Sequence, residues 1–456
     1  MKIAPPKIIL MSATLPTENQ LSDLYGNIVK SHPGMVVKSF SSSEAKIGCA
    51  LISSSGELFA PHIGSKTVDE IKYILSVIRT NPFVGRFYTF EVLLEMVKIF
   101  KKFNLTYPDL TIMFDDPSKA NQTNIQQIAY SMLEHLISVN SDSTVEQVCI
   151  MEKNIGKRIN LRTIFTSDIG RFNKGCIVFS SDPVGTAKRI YKENFDDFMK
   201  GKQDRDIFQQ VRLDNILENY KRAVDTYKKE ETRIMNKKDD GIIKKNKEND
   251  KKERKKTEPW QDVSKMEIPI WEFPKELQIC SPDHLARVKC DTNPLLGGLI
   301  CPEDIPSNSS VSIEILTLLA SGIGIYSTES PVLDDNYLKS VITLAKKGLI
   351  KFIFSDSSIA YGSNLAVSDI IVIDESVSTY SIETESIVNK HSMKTIFQML
   401  GRAGRGGNLS YEARIYTTSS DDNLANKINS YIRGTLDEGS HDEIRNIRKA
   451  YETLWN

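Results

Sequence analysis

Hydrophobic and polar positions along the chain fall into two alternating rhythms. Short, unbroken apolar runs occur at residues 8–11 (IILM), inside 174–183 (KGCIVFSSDP), at 352–354 (FIF) and at 370–373 (IIVI). A strand buried on both faces of a parallel sheet reads this way, because neither face alternates with solvent. Between these runs, apolar residues recur at helical spacing. Leu21, Leu24 and Tyr25 lie in one expected helix over 17–30. Val68, Ile71, Ile74, Leu75 and Ile78 form a second stripe, Val92, Leu93, Met96, Val97 and Phe100 a third, and Ile125, Ile128, Met132 and Leu136 a fourth. Such stripes are core-facing sides of amphipathic helices. Further strands are expected at 35–37, 48–53 and 411–417, and further helices from Pro183 through Ile190, over 341–351 with its end at Gly348, and at 423–432. Parallel strands need crossovers, so strands alternating with helices specify an α/β fold.

One stretch obeys neither rhythm. Residues 221–256 are dense in lysine with glutamate, aspartate and asparagine. They carry too little apolar surface to offset the entropy of ordering, which predicts a disordered insert or a fraying helix. The chain of 456 residues leaves room for roughly two to four domains by the ~100–200 residue rule. Fifty-nine basic residues balance 59 acidic ones, so any nucleic-acid affinity has to come from local patches. Six cysteines, none in a CxxC pair, suggest a reducing compartment. The start MKIAPPKIIL has no apolar core of signal-peptide length, and no stretch approaches the ~18 apolar residues of a membrane span. A soluble intracellular protein, cytoplasmic or nuclear, is expected. Its lysine, asparagine and isoleucine richness suggests an AT-rich genome, such as that of a large DNA virus or a protist. Cys280, His284, Cys290 and Cys301 have gaps that match no standard zinc site, so no metal site is expected from them.

The most chemically pointed stretch is FQMLGRAGRGG, residues 397–407. Residues three apart share a face of a helical turn, which predicts that Arg402 and Arg405 point the same way. Gly401 and Gly404 let the backbone close on whatever the arginines face. Two guanidiniums on one side suit a polyphosphate, since each fork binds two oxygens and keeps its charge. The stretch resembles motif VI of superfamily 2 helicases, in the form typical of the Ski-like DExH enzymes. That resemblance implies that Arg402 and Arg405 reach the ATP phosphates, Arg405 as the arginine finger, while Gln398 helps place the nucleotide.

Other stretches resemble the same family. MSATLP (11–16) is similar to motif III, implying nucleic-acid contacts by Ser12 and Thr14 late in a first RecA-like domain. KGCIVFSSDP resembles motif IV, with Ser180 or Ser181 on the nucleic-acid backbone. ASGIGIYST (320–328) is similar to a glycine-bearing family segment in which Tyr326 and Ser327 replace paired histidines, leaving Gly322 and Gly324 as nucleic-acid contacts. Residues 352–374 resemble motif V, with Ser358 in the place of a threonine that touches nucleic acid. There Gly362 and Asn364, with Gly401 of motif VI, approach ATP, and Ala366 replaces the usual proline. Two lookalikes fail on spacing or position: HIGSKT (62–67) lacks the GxxxxGK[ST] interval, and IIVIDES (370–376) follows motif V and reads as a second-domain strand. RFYTF (86–90) sets aromatic residues beside an arginine and is a candidate for base stacking.

Only eleven residues precede Ser12. The phosphate loop and the DExH carboxylates that hold Mg²⁺ are therefore expected on a separate polypeptide or an upstream exon or frame. The expected organisation is a remnant of a first RecA-like domain at 1–45, a helical insertion at 46–171, and a second RecA-like domain at 172–200 and 305–433, a parallel sheet covered by helices. A lysine-rich insertion fills 201–304 and a tail 434–456. The resemblance implies the C-terminal part of an ATP-dependent helicase, acting on RNA more than on DNA. The alternatives are a repair-type DNA helicase and a non-enzymatic RNA-binding or regulatory half-helicase module.

Overall fold

A computed structural model describes residues 22–31, 33–36, 38, 47–151, 157–172, 174–200, 215–233, 278–279, 281–288, 300–301, 304–306, 309–362, 365, 367–375, 377–379, 382–404 and 412–436. The chain is α/β. Six strands form one parallel sheet flanked by helices: β1 (Gly48–Ile52), β2 (Cys176–Phe179), β3 (Ile323–Tyr326), β4 (Phe352–Ser355), β5 (Asp369–Val372) and β8 (Glu412–Thr417), in the order β1-β8-β5-β2-β4-β3. A two-stranded antiparallel ribbon, β6 (Val377–Thr379) with β7 (Ile382–Thr384), stands apart from it. Four of the sheet strands, CIVF, FIFS, DIIV and GCALI, are buried at every position, the condition their unbroken apolar runs predict.

Contacts divide the chain into two units, residues 1–159 with 179–181 and 366–456, and residues 160–178 with 182–365. In the first unit, α2 (Val68–Thr80), α3 (Pro82–Gly85), α4 (Phe90–Lys102), α5 (Leu110–Met113), α6 (Gln122–Val139) and α7 (Asp142–Val148) follow α1 (Ser22–Ser31). Their N-caps are Thr67, Asn81, Thr89, Asp109, Asn121 and Ser141, and each accepts a backbone N–H of its first turn. The expected apolar stripes are the buried ones, and α6 packs on α2 and α4. This helical layer also meets α15 (Asn423–Ile432), which packs on α2, on α13 (Ile387–Lys390) and on α14 (Met393–Leu400). The stretch 48–52 does not lead into a detached helical insert, because β1 pairs in register with β8, Gly48 opposite Glu412. Residues 35 and 36, expected as strand, are not strand.

The lookalike loop 62–67 is tied into this unit rather than wrapped around an open space. The Gly64 N–H donates to the Cys149 carbonyl at 2.8 Å and Gly64 sits at φ +77°. His62 stacks on Tyr88 at 5.6 Å with 15° between the rings, and both are buried. Burial without an acidic partner lowers the His62 pKa to about 4. Burial likewise pushes the Tyr88 hydroxyl up and the Cys149 thiol to about 12. The folded state thus favours neutral His62, and between pH 6.5 and 4 the unfolded chain binds the extra proton. Stability is therefore present above the unfolded pKa and lost as pH falls through this window. Protein at pH 5 is expected to be about 2 kcal/mol less stable than at pH 7 from this one group. Urea melts at the two pH values check it, and His62→Gln should flatten the difference; an unchanged difference in that variant removes His62 as its cause.

In the second unit, α8 (Pro183–Lys200) packs on β3 and β4, and α10 (Ile313–Ala320) and α11 (Asp335–Lys346) pack on β3; α9 (Pro282–Arg287) and α12 (Ile359–Gly362) are short. Helix α11 begins before the expected 341 because Asp334 caps it, accepting the Tyr337 N–H at 2.9 Å. Of the two forms expected for the lysine-rich stretch, its described part takes the helical one. Residues 215–233 are helical, and their side of α10 explains why. Tyr220 and Thr317 hydroxyls meet at 2.7 Å, and Lys228 pairs with Glu314 at 2.6 Å. His284 is buried with Nε2 2.7 Å from the Phe165 carbonyl.

Candidate functional site

In the first unit the site is built around the end of α14. Ser392 caps its start through the Thr395 N–H, and seven of its eight residues, Gln398 included, are buried. The helix stops at Leu400. Gly401 donates to the Phe397 carbonyl at 2.8 Å, Arg402 to Met399 and Ala403 to Leu400 at 3.2 Å, which tightens the chain into a turn. Gly404 then takes φ +73°. A Cβ there would lie 3.0 to 3.1 Å from Ile47, Ala413 and Arg86, so glycine is required by both space and conformation. The left-handed residue between positions 402 and 405 breaks the helical register. Arg405 lies outside the described residues, and with it the expectation that the two arginines share a face. Arg402 itself is 7% exposed.

The turn is attached to the residues just before β5. The Gly404 N–H donates to the Val367 carbonyl at 2.8 Å, and Ala403 and Val367 form a parallel bridge. Two residues on, Asp369 of β5 is fully buried and faces Arg414 of β8, with Nε 2.8 Å from Oδ1 and Nη2 donating to Oδ2 at 3.1 Å. At the other end of β5, the buried Asp374 carboxylate accepts the Val388 N–H at 3.1 Å through Oδ1. Its Oδ2 is shielded without a partner, as are the hydroxyls of Ser181 and Thr417. The Ile373 N–H donates to Phe179 at 2.8 Å, which brings residues 179–181 alongside 373 and 374. Ser180 and Ser181 therefore stand at the carboxyl end of the sheet, where α/β proteins bind ligands.

In the second unit, Ser358 follows β4. Its Oγ accepts the Thr328 N–H at 3.3 Å and its N–H donates to Asp356 Oδ1 at 2.9 Å. Asp356 also accepts the Ser327 hydroxyl, and Ser355 Oγ donates to the Tyr326 carbonyl at 2.6 Å. The ends of β3 and β4 are thus latched together by hydroxyls and one carboxylate. Sequence reasoning passed over Asp356; its signal was a lone acid between serines directly after an apolar run. Gly362 ends α12. Gly322 and Gly324 are buried; the φ of +88° favours glycine at 322, and a Cβ on Gly324 would meet Val341 at 2.8 Å and Ile350 at 3.1 Å. In the stretch 86–90, Phe87 and Tyr88 are fully buried and so offer no stacking face, while Phe90 is exposed and packs edge-on against Phe114. Ser12, Thr14, Asn364 and Arg405 lie outside the described residues.

Gln398 and Arg402 are both buried beside the glycine turn. Among the described residues, no group of three His, Cys, Asp or Glu side chains is placed to hold a metal ion. No helix of the described residues is long and apolar enough to cross a membrane. No protein-family model matches the chain, and no curated protein matches it.

Proposed function

We propose that this chain is the C-terminal part of an ATP-dependent helicase, acting on RNA in preference to DNA. It works together with a segment that carries the phosphate loop and the Mg²⁺-binding carboxylates. The observation that supports this reading most is the bond from Gly404 to Val367, 2.8 Å long. It joins the turn of QMLGRAGR to the end of the motif V-like stretch, the two places where an ATP-dependent helicase needs its second RecA-like domain to meet the nucleotide. A parallel sheet with serines at its carboxyl edge supplies the surface for a nucleic-acid backbone. In this reading ATP supplies the phosphoryl group, Arg405 stabilises its charge during transfer and Arg402 shapes the turn. Ser180, Ser181 and Ser358 hold the strand that closure moves.

The test pairs this chain with a Ski-like N-terminal segment bearing GKT and DExH, in cis or in trans. Mg²⁺-dependent hydrolysis stimulated by single-stranded RNA is expected, with weaker stimulation by DNA of the same sequence. The chain alone should hydrolyse nothing above background. Turnover by the chain alone, or none in any pairing, would sink the proposal. Stronger stimulation by DNA points to a repair-type enzyme, and RNA binding without turnover to a non-enzymatic module.

A further inference from the structure

Arg86 lies outside every stretch that carries the helicase resemblance, yet its side chain reaches the centre of the site. Its Nη2 donates to the Ala403 carbonyl at 2.9 Å and its Nε donates to the Ile47 carbonyl at 2.9 Å. One planar fork therefore spans two backbone oxygens, one just before β1 and one inside the Gly401–Gly404 turn. The Arg86 carbonyl accepts the Cys49 N–H at 2.8 Å, so main chain and side chain of one residue both hold the β1 edge. Among the described residues, no ion pair involves Arg86. A guanidinium used on carbonyls fixes geometry rather than balancing charge.

Its surroundings hold the guanidinium in place. The carbon of the fork sits 5.3 Å from the centre of the Phe83 ring. Phe83 packs on Phe397 of α14 at 4.9 Å, and Phe397 on Tyr431 of α15 at 5.3 Å. The Tyr431 hydroxyl accepts from Asn81, the cap of α3, at 3.1 Å. A ring contact from Phe83 and a hydrogen bond from Asn81 through Tyr431 therefore both converge on Phe397 of α14. Gly404 completes the fit, because a Cβ there would lie 3.1 Å from Arg86 Nη2.

We propose that Arg86 is a positioning residue. It clamps the Ala403 carbonyl and so fixes the turn that carries Arg402 and leads into Arg405. The helical layer 68–148 is then the brace of the site rather than an ornament on it. The clamp stands on the contacts alone; its effect on turnover rests on the helicase reading above. Displacing a reacting group by ~1 Å can cost about 10²-fold in rate. Loss of the clamp should therefore lower kcat by about 10- to 100-fold and leave KM for ATP within about threefold.

Hydrogen exchange on the full chain tests the clamp without any catalytic partner. In Arg86→Ala, exchange of the Arg402–Gly404 amides should speed up at least about tenfold, while α2, α6 and β5 keep their protection. Arg86→Lys should do the same, because one ammonium cannot span both carbonyls. Should Arg86→Ala fail to fold, the lysine variant decides in its place. Unchanged exchange at the turn, or equal acceleration along the whole chain, overturns the proposal. With the N-terminal segment added, a fall in kcat at constant KM supports the effect on turnover, and a matching rise in KM overturns it. If the wild-type pairing shows no turnover, the helicase reading fails by itself, and the clamp is judged on exchange alone.

Discussion

Arg405→Lys in the completed enzyme is expected to lower ATP turnover by about 10³-fold, with nucleotide affinity changed by less than about threefold. Lysine keeps the charge but presents a point rather than a planar fork, so it cannot bridge two phosphate oxygens as charge moves between them. The same exchange at Arg402 should behave differently. Arg402 is 7% exposed within the turn, so its loss should act on the fold as well as on turnover, with a lower melting temperature. Gly404 follows Arg402 closely and takes φ +73°, so the turn around Arg402 is a tight one. Turnover measured under saturating ATP, beside binding of a fluorescent ATP analogue, tells the cases apart. Equal losses in affinity and turnover for Arg405→Lys would refute the finger assignment.

Arg414→Ala carries the largest expected cost in stability. Asp369 is fully buried in β5 and faces Arg414 directly across the β5–β8 pair. Removing the arginine takes the opposite charge from a buried carboxylate, and the Ser368 hydroxyl that also donates to it carries no charge to replace it. Breaking a buried pair from one side typically costs about 3–5 kcal/mol, and the arginine's partial exposure places this one near 3 kcal/mol. Removing both charges, as in Asp369→Asn with Arg414→Met, should cost less than the single change, since no charge is then stranded. Urea unfolding gives both numbers. A loss under about 1 kcal/mol for Arg414→Ala would mean that water reaches Asp369 and that the pair is ornamental.

What the sequence made legible was local. Apolar runs located β2, β4 and β5, helical stripes located α2, α4 and α6, and hydroxyl or amide residues before each stripe marked the caps. The glycines of GRAG marked a tight backbone, although nothing in the spacing tells which glycine turns left-handed. What stayed hidden was long-range. Arg86 meets Ala403 across 317 positions, and no periodicity connects them. The register of β1 on β8 was invisible for the same reason. The aromatic residues beside Arg86 looked available for stacking because burial of Phe87 and Tyr88 is decided by helices far along the chain. Ordering of residues 215–233 also depended on a docking surface, α10, that composition alone does not reveal.

The pairing of β1 with β8 sets a timetable for biosynthesis. About 360 residues separate Gly48 from its partner Glu412, so at ~5–20 residues per second β1 leaves the ribosome roughly 20 to 70 seconds before β8 exists. During that interval a wholly apolar strand has no neighbour on its β8 side. The Leu51 carbonyl is already taken by the Phe59 N–H and the Cys49 N–H by Arg86, so the nascent strand's other side is closed early by residues made within seconds of it. The helical layer that follows is thus also a built-in chaperone. It shelters the strand until β8 arrives, and the last of the described strands locks the first.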